Sequence, residues 1–329
     1  MAKLRALVDA FEGQHVVVIG DVMIDRYLRG DVTRISPEAP VPVLHHHGTE
    51  NRLGGAANVA LNLRALGANV HLISTIGQDE NGELLADLLP KAQLSARCLH
   101  RSDKRQTTVK TRVLAGDQQL LRVDREDTHD LDAAEEEALL ERLRSVLVQY
   151  SVGAILLQDY NKGVLTERLI RETLLEGVRR DVPVAVDPKR RHFWSYQRAA
   201  LFKPNLKEVR DGLGRSVTTD PAALDEAAGT LRKRLRADRI LITLGEAGIY
   251  LADPAGGRHY PTRPRHIADV CGAGDTVISV ATLCLTVGAT AAELAELANL
   301  AGGQVCESIG VVPVNKARLL TEIDHLEVV

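Results

Sequence analysis

The sequence predicts a three-layer α/β/α sandwich on a mostly parallel sheet, with a small β-sheet lid inserted in it. Three observations lead there. Short apolar, β-branched runs alternate with amphipathic segments along most of the chain. Those runs are apolar throughout, as strands covered on both faces are. Two segments, 26–50 and 97–125, break the rhythm and alternate polar with apolar residues.

The elements follow in order. His15 to Ile19 (HVVVI) reads as a buried strand ending at Gly20, and Val70 to Ile76 as a second. Between them, Ala56 to Leu66 reads as a helix stopped by Gly67. Glu80 to Leu89 reads as a helix with Asp79 as N-cap and Pro90 as its close. Ala154–Leu157, Val184–Val186 and Ile240–Leu244 are further strand cores. Helices are expected near 131–149, 165–179 and 222–236. In the first of these Leu139, Leu143, Val146 and Tyr150 share one face. The segment 26–50 carries three prolines and no helical pattern, and 97–125 holds two alternating strands turning at Gly116-Asp117. Both suit a half-exposed antiparallel sheet, placed as a lid over a site. With no repeat, low-complexity stretch or long linker, a single domain over 1–329 is expected.

Composition narrows the function classes. Forty-one basic against 44 acidic residues give a formal charge of -3, so no global basic excess points to nucleic acid. Aromatics at 3% are too few for base-stacking platforms. The N-terminus lacks a signal-peptide pattern, and no apolar run approaches the ~20 residues of a membrane span. A cytoplasmic protein with no membrane partner is the expectation. Cys98, Cys271, Cys284 and Cys306 form no CxxC pair, so neither a zinc site nor a disulfide framework is suggested. The run His45-His46-His47 does not converge on a metal, because adjacent strand residues point to opposite faces.

Three motifs carry chemistry. Asp269-Val-Cys-Gly272-Ala273-Gly274-Asp275-Thr precedes an apolar helical run. A Gly-Ala-Gly turn opening a helix leaves backbone N–H groups free to hold an anion. A carboxylate in that turn makes sense if it removes a proton while the amides receive a phosphoryl group; on spacing alone it fits an N-cap equally well. Gly54-Gly55-Ala-Ala-Asn58 opens another helix, where paired glycines allow close approach of a ligand and Asn58 can hydrogen-bond sugar hydroxyls. A plain glycine loop is the alternative. Gly20-Asp21-Val-Met-Ile-Asp25 follows the first strand, where open α/β sheets bind ligands; a solvated turn is the alternative.

In this order and separation, the motifs resemble the ribokinase family of carbohydrate kinases. Lys203-Pro-Asn205-Leu-Lys-Glu208 is similar to that family's Asn-x-x-Glu motif, and Thr243-Leu-Gly245-Glu-Ala-Gly248 to its nucleotide-side glycine turn. The resemblance implies a ribokinase-like fold and an ATP-dependent kinase. Asp275 is then the general base, and the amides of Gly272, Ala273 and Gly274 are the anion hole. Asp25, Gly54, Gly55 and Asn58 contact the sugar. Asn205 and Glu208 hold Mg²⁺ through water, while Thr243, Gly245, Gly248 and Asn299 line the nucleotide. Asp269 is placed where some members bind a monovalent cation. There is no GxxxxGK[ST] sequence, and no GxGxxG follows a strand, so neither a P-loop kinase nor a dinucleotide dehydrogenase is supported.

Further stretches resemble one subgroup, the heptose-7-phosphate kinases of lipopolysaccharide-precursor synthesis. They are Arg34-Ile-Ser-Pro-Glu-Ala-Pro, Thr111-Arg-Val-Leu-Ala, Gln118 to Asp124, Asp159-Tyr-Asn-Lys162 and Asp187-Pro-Lys189. That resemblance implies phosphorylation of the anomeric hydroxyl of D-glycero-D-manno-heptose 7-phosphate. A phosphorylated hexose such as fructose 6-phosphate or tagatose 6-phosphate is the alternative. Asp159, Lys162, Lys189, Arg105 and Arg122 are the candidate substrate contacts; the four cations among them are the candidates for the substrate phosphate. Trp194 and its basic neighbours fit either the substrate side or the surface. The chain reaches Val329 with no HxGH-type nucleotidyl-transfer motif, so no nucleotidylyltransferase domain is expected. The lid is expected to pair subunits into a homodimer, because an exposed sheet edge is otherwise a liability.

Overall fold

The run of valines after His15 forms β1 (His15–Gly20), and its side chains alternate between two cores. Val16 and Val18 enter one, Val17 and Ile19 the other. Each such side chain taken from water contributes about 1.5–3 kcal/mol. The computed structural model describes residues 2–263, 265–308 and 310–326. Before β1 runs α1 (Ala2–Asp9), and after it come β2 (Val22–Ile35), β3 (Pro42–Gly55) and α2 (Ala56–Ala65). Next are β4 (Asn69–Gly77), α3 (Glu80–Lys91), β5 (Leu99–Ser102), β6 (Val109–Ala115), β7 (Gln118–Arg125) and α4 (Ala133–Gln149). The middle of the chain holds β8 (Val152–Gln158), α5 (Glu167–Arg180), β9 (Val184–Asp187), β10 (Leu201–Phe202), α6 (Leu206–Leu213) and α7 (Pro221–Leu235). It closes with β11 (Arg239–Thr243), β12 (Ile249–Asp253), β13 (Gly256–Tyr260), α8 (Ala273–Thr286), α9 (Ala291–Val305) and α10 (Lys316–Leu326).

The large sheet has the order β13-β12-β11-β10-β9-β8-β1-β4-β5, parallel from β11 to β5, with β12 and β13 added antiparallel. Helices α1, α2, α3, α8, α9 and α10 pack on one face, and α4 to α7 on the other. The three-layer sandwich read from the sequence is therefore the architecture found. Strand β1 has β4 on one side and β8 on the other, and at that switch point the strand ends open a crevice. Asp79 caps α3 as expected, accepting from the Gly82 N–H at 2.7 Å. Helix α3 runs through Pro90 to Lys91 rather than closing before it. In the last turn a proline forfeits one backbone bond, and the Ala92 N–H still caps the carbonyls of Leu88 and Leu89.

The second sheet, β3-β2-β6-β7, is the lid. Both hairpins, β2–β3 and β6–β7, are antiparallel as expected, the latter turning at Gly116-Asp117. They join through a parallel β2–β6 pair, because the chain returns to β6 by a long crossover through α2, β4, α3 and β5. The part of 97–125 nearest its start differs from the lid expectation. Leu99–Ser102 pairs parallel with β4 and extends the large sheet, and Leu99 is buried in its core. Four residues are too few to show which sheet they join.

Candidate active site

Asp275 lies on the first turn of α8, whose N-cap is Gly272. Gly272 has φ of 82°, a left-handed conformation that a Cβ makes costly. No side chain caps this helix. The N–H groups of Gly272 and Gly274 have no acceptor among the described residues, and that of Ala273 reaches only the Val270 carbonyl at 3.4 Å. Free amides and the helix dipole together favour an anion here. Lys203 adds a full charge: its Nζ comes within 3.7 Å of where a Cβ on Gly274 would stand.

The Asp275 carboxylate is buried. Its Oδ2 accepts from Asn58 Nδ2 at 2.6 Å, and its Oδ1 from the Tyr160 hydroxyl at 2.6 Å and Gln158 Nε2 at 3.4 Å. Burial pushes its pKa up to about 6, with the Tyr160 and Asn58 hydrogen bonds pulling the other way. The group is thus ionised at neutral pH yet far more basic than an exposed aspartate.

A cleft of about 770 Å³ opens on this turn. Gly272, Ala273, Gly274, Asp275, Lys189, Asn205, Thr243, Gly245, Gly248 and Asn299 line it together with Asp187, Lys203 and Tyr160. Residues from six separate stretches of sequence so converge on one cavity. Asn205 caps α6, its side chain accepting from the Glu208 N–H at 2.8 Å while Glu208 Oε2 accepts from the Asn205 N–H at 2.8 Å. The other Glu208 oxygen takes Lys189 Nζ. Burial alone would lower the Lys189 pKa, but Asp187 and Glu208 hold it above the usual lysine value. Asn299 Nδ2 donates to the carbonyls of Tyr260 and Pro261, at 3.2 and 2.9 Å, and fastens that wall of the cleft.

Asp187 tests whether a divalent cation fits. Its Oδ2 accepts from Lys203 at 3.1 Å and Gln158 at 3.1 Å. Its Oδ1 is buried with no partner. A buried carboxylate oxygen left unpaired at the cleft wall suits a cation or the water on one. Among the described residues no group of three or more His, Cys, Asp or Glu side chains gathers to bind a metal directly. Asp187, with Asn205 on the same cleft wall, therefore fits an ion held with the help of water rather than one caged by protein; Glu208 is not among the lining residues, and its oxygens take the Asn205 N–H and Lys189.

The expected sugar contacts lie beyond the cleft's own lining and connect to it through Asn58. Gly54 sits against Asp25: a Cβ there would stand 2.3 Å from Asp25 Oδ2. Gly55, with φ of 61°, is the N-cap of α2 and brings Asn58 to Asp275. Asp25 is buried and paired with Arg112 on the neighbouring strand β6. Its motif partner Asp21 is structural. Its buried carboxylate accepts from the N–H groups of Tyr160, Lys162 and Val164, at 2.8, 3.1 and 3.0 Å, and so shapes the loop after β8.

The other candidates separate. Asp159 is turned into the fold, accepting from the Tyr196 hydroxyl at 2.8 Å and the Asn161 N–H at 2.7 Å. Arg105 donates to the His129 carbonyl at 2.7 Å. Lys162 reaches Glu126 at 2.7 Å, and Arg122 pairs with Asp124 at 3.0 Å on the lid. Asp269 accepts from the N–H groups of Cys271 and Gly310, each at 3.0 Å, tying the turn before α8 to Gly310. Trp194 lies beneath the Arg234 guanidinium, 3.6 Å from it. Sequence reasoning gave no role to Tyr160, Lys203, Asp187 or Arg112. All four stand inside stretches that carry the family or subgroup resemblance, and the signal available for Tyr160 was its place one residue past Asp159, just beyond the end of a strand.

Comparison with known proteins gives a consistent picture. The model of the pfkB family of carbohydrate kinases matches residues 14–318. The bifunctional protein HldE of Methylobacillus flagellatus is 42% identical over 308 residues, covering 94% of this chain and 63% of that protein. The bifunctional protein HldE of Caulobacter vibrioides is 42% identical over 321 residues, covering 96% and 65%. The chain thus spans somewhat under two thirds of the length of these relatives. Among solved structures, the tetrameric inhibited form of phosphofructokinase-2 from Escherichia coli superposes with a TM-score of 0.77 at 18% identity, covering 95% of this chain and 99% of that one. Arabidopsis thaliana ribokinase complexed with ribose and ATP gives 0.72 at 17%, covering 94% and 99%. At such identities these structures speak for the fold.

Proposed function

The chain belongs to the pfkB family of carbohydrate kinases, and on that premise we propose that it transfers the γ-phosphoryl group of ATP to the anomeric hydroxyl of D-glycero-D-manno-heptose 7-phosphate, giving the 1,7-bisphosphate. The observation that carries the reading is the place of Asp275: a carboxylate of pKa about 6 at the mouth of a helix with free amides, on the wall of one cleft. In this reading Asp275 takes the proton of the acceptor hydroxyl. The amides of Gly272, Ala273 and Gly274, with Lys203, receive the phosphoryl oxygens. Asp25, Gly54, Gly55 and Asn58 orient the sugar, and Thr243, Gly245, Gly248 and Asn299 hold the nucleotide. Asn205, Glu208 and Asp187 would hold Mg²⁺ through water, and the ion would supply charge to neutralise the phosphates. Asp269 is the group nearest a monovalent-cation role.

For the heptose, support comes from the subgroup stretches and where they lead. Asp159-Tyr160-Asn161-Lys162 sends Tyr160 to the base, and Thr111-Arg112 sends Arg112 to Asp25. The HldE relatives at 42% identity point the same way. Such a kinase works in the cytoplasm on a lipopolysaccharide-core precursor. No helix among the described residues is long and apolar enough to cross a membrane. A homodimer through the lid is part of the proposal. Ile35, Val41, Leu121 and Val123 are each more than half exposed on its strands and turns, where a second lid would cover them. Sedimentation at micromolar concentration gives a dimer if this holds and a monomer if it does not.

An ATP-coupled panel of sugar phosphates tests the substrate, with the product position read by phosphorus NMR. Highest kcat/KM on the heptose 7-phosphate, with a new anomeric phosphate signal, is expected. Faster turnover of fructose 6-phosphate or tagatose 6-phosphate overturns the heptose reading and leaves the kinase reading standing.

A further inference from the structure

The lid carries a run of ion pairs that proton removal at Asp275 does not use. Arg112 on β6 stands directly opposite Arg122 on β7. Like charges so placed repel. Each leans onto a carboxylate instead, Arg112 onto Asp25 and Arg122 onto Asp124. Lys110, two residues from Arg112 and so on the same face of β6, lies between Asp124 at 3.0 Å and Glu126 at 3.2 Å. Lys162 reaches the same Glu126 at 2.7 Å. Four cations thus meet three carboxylates, with one positive charge in excess. The Arg112 side chain is 17% exposed, and its guanidinium lies 5.4 Å from the centre of the Tyr27 ring, so it is held in place. In the β2–β6 register Asp25 is level with Lys110 and Tyr27 with Arg112. The face bearing the two arginines is therefore continuous with the sugar contact at Asp25.

We propose that Arg112 and Arg122 grip the distal phosphate of the substrate between them, with Lys110 beside them. This rests on the reading of the substrate as a phosphorylated sugar and adds which groups recognise the phosphate. A guanidinium matches phosphate oxygens with paired N–H donors, and a dianion between two of them turns their repulsion into attraction. Strand β7 lies two strand spacings from β2, about 10 Å. A ring resting on Asp25 extends its exocyclic carbons, and the phosphate they carry, across that distance toward the pair. Arg105 and Lys189 stand off the β6–β7 pair and make their contacts with the His129 carbonyl and with Glu208.

The test compares kcat/KM for D-glycero-D-manno-heptose 7-phosphate with that for the same heptose without phosphate, in wild type, Arg112→Lys and Arg122→Gln. Arg122 is exposed and off the Asp25 contact, so Arg122→Gln probes the phosphate without disturbing the ring, and a thermal melt checks that both variants fold. The preference for the phosphorylated sugar is expected to fall about 10- to 100-fold in each, through KM, as loss of a charge-assisted hydrogen bond predicts. Inorganic phosphate should compete with the sugar phosphate in wild type and much less in the variants. Folded variants that keep the wild-type preference overturn the proposal. If wild type prefers a different sugar phosphate, the same ratio measured on that sugar judges the arginines while the heptose reading falls. If wild type prefers no phosphorylated sugar over its parent sugar, both fall.

Discussion

Replacing Tyr160 by phenylalanine removes one hydroxyl from the proposed base and leaves the rest of the site in place. Tyr160 donates to Asp275 Oδ1 at 2.6 Å, and this bond helps hold the carboxylate down against the burial that raises it. Burial also pushes the Tyr160 hydroxyl well above its usual pKa, so it stays a donor throughout the working range. A hydrogen bond to a charged group contributes about 1.5–3 kcal/mol, and 1.36 kcal/mol corresponds to one pKa unit. Tyr160 is half-buried and lines the open cleft, so water can replace part of the lost bond and the lower end applies. The Asp275 pKa should rise from about 6 to about 7. A base works ionised, so activity is lost as pH falls through that pKa. At pH 6 the ionised fraction drops from about one half to about one tenth, a roughly fivefold loss in kcat/KM, while at pH 8.5 the variant comes within about twofold of wild type. The assay is an ATP-coupled pH profile of kcat/KM for both proteins. An acid limb at the same pH in both would refute the claim that this hydroxyl tunes the base.

Other perturbations follow from the same geometry. Gly54→Ala places a Cβ 2.3 Å from Asp25 Oδ2, so the sugar KM should rise at least about tenfold while the ATP KM holds, as initial-rate kinetics will show. Gly272→Ala forces a Cβ into φ of 82°, costing about 1–2 kcal/mol and misplacing the amides, with kcat falling about tenfold or more at unchanged sugar KM. Lys203→Met leaves Asp187 buried without its cation and should lower unfolding stability by about 3–5 kcal/mol, read by urea denaturation.

Much of the architecture was legible because each local signal had one physical meaning. An unbroken valine run belongs in a strand covered on both faces, and the Gly272 to Gly274 turn belongs where a helix starts. The glycine pairs and Asp275 stood out for their backbone and charge, but spacing alone fitted an N-cap or a plain glycine loop as well, and the resemblance to the kinase family assigned their roles. What escaped depends on contacts between distant parts of the chain. Asp21 and Asp25 are four residues apart and look alike in sequence, yet one supports a loop by accepting three amides and the other faces Arg112. Asp159 and Tyr160 are neighbours just past the end of β8, and the chain there turns the aspartate inward to Tyr196 and the tyrosine onto Asp275. The lid's parallel β2–β6 pair was hidden because pairing direction depends on how far the chain travels between two strands.

At the centre of the proposed chemistry, the carboxylate at position 275 strips the acceptor proton beside the free amides of α8. Turnover of Asp275→Asn, measured together with its ATP affinity by titration calorimetry, tests it most directly. Nucleotide affinity within a few-fold of wild type, with kcat down by about 10²–10⁴, is the predicted result. Near-normal turnover in a folded variant that binds ATP would contradict it.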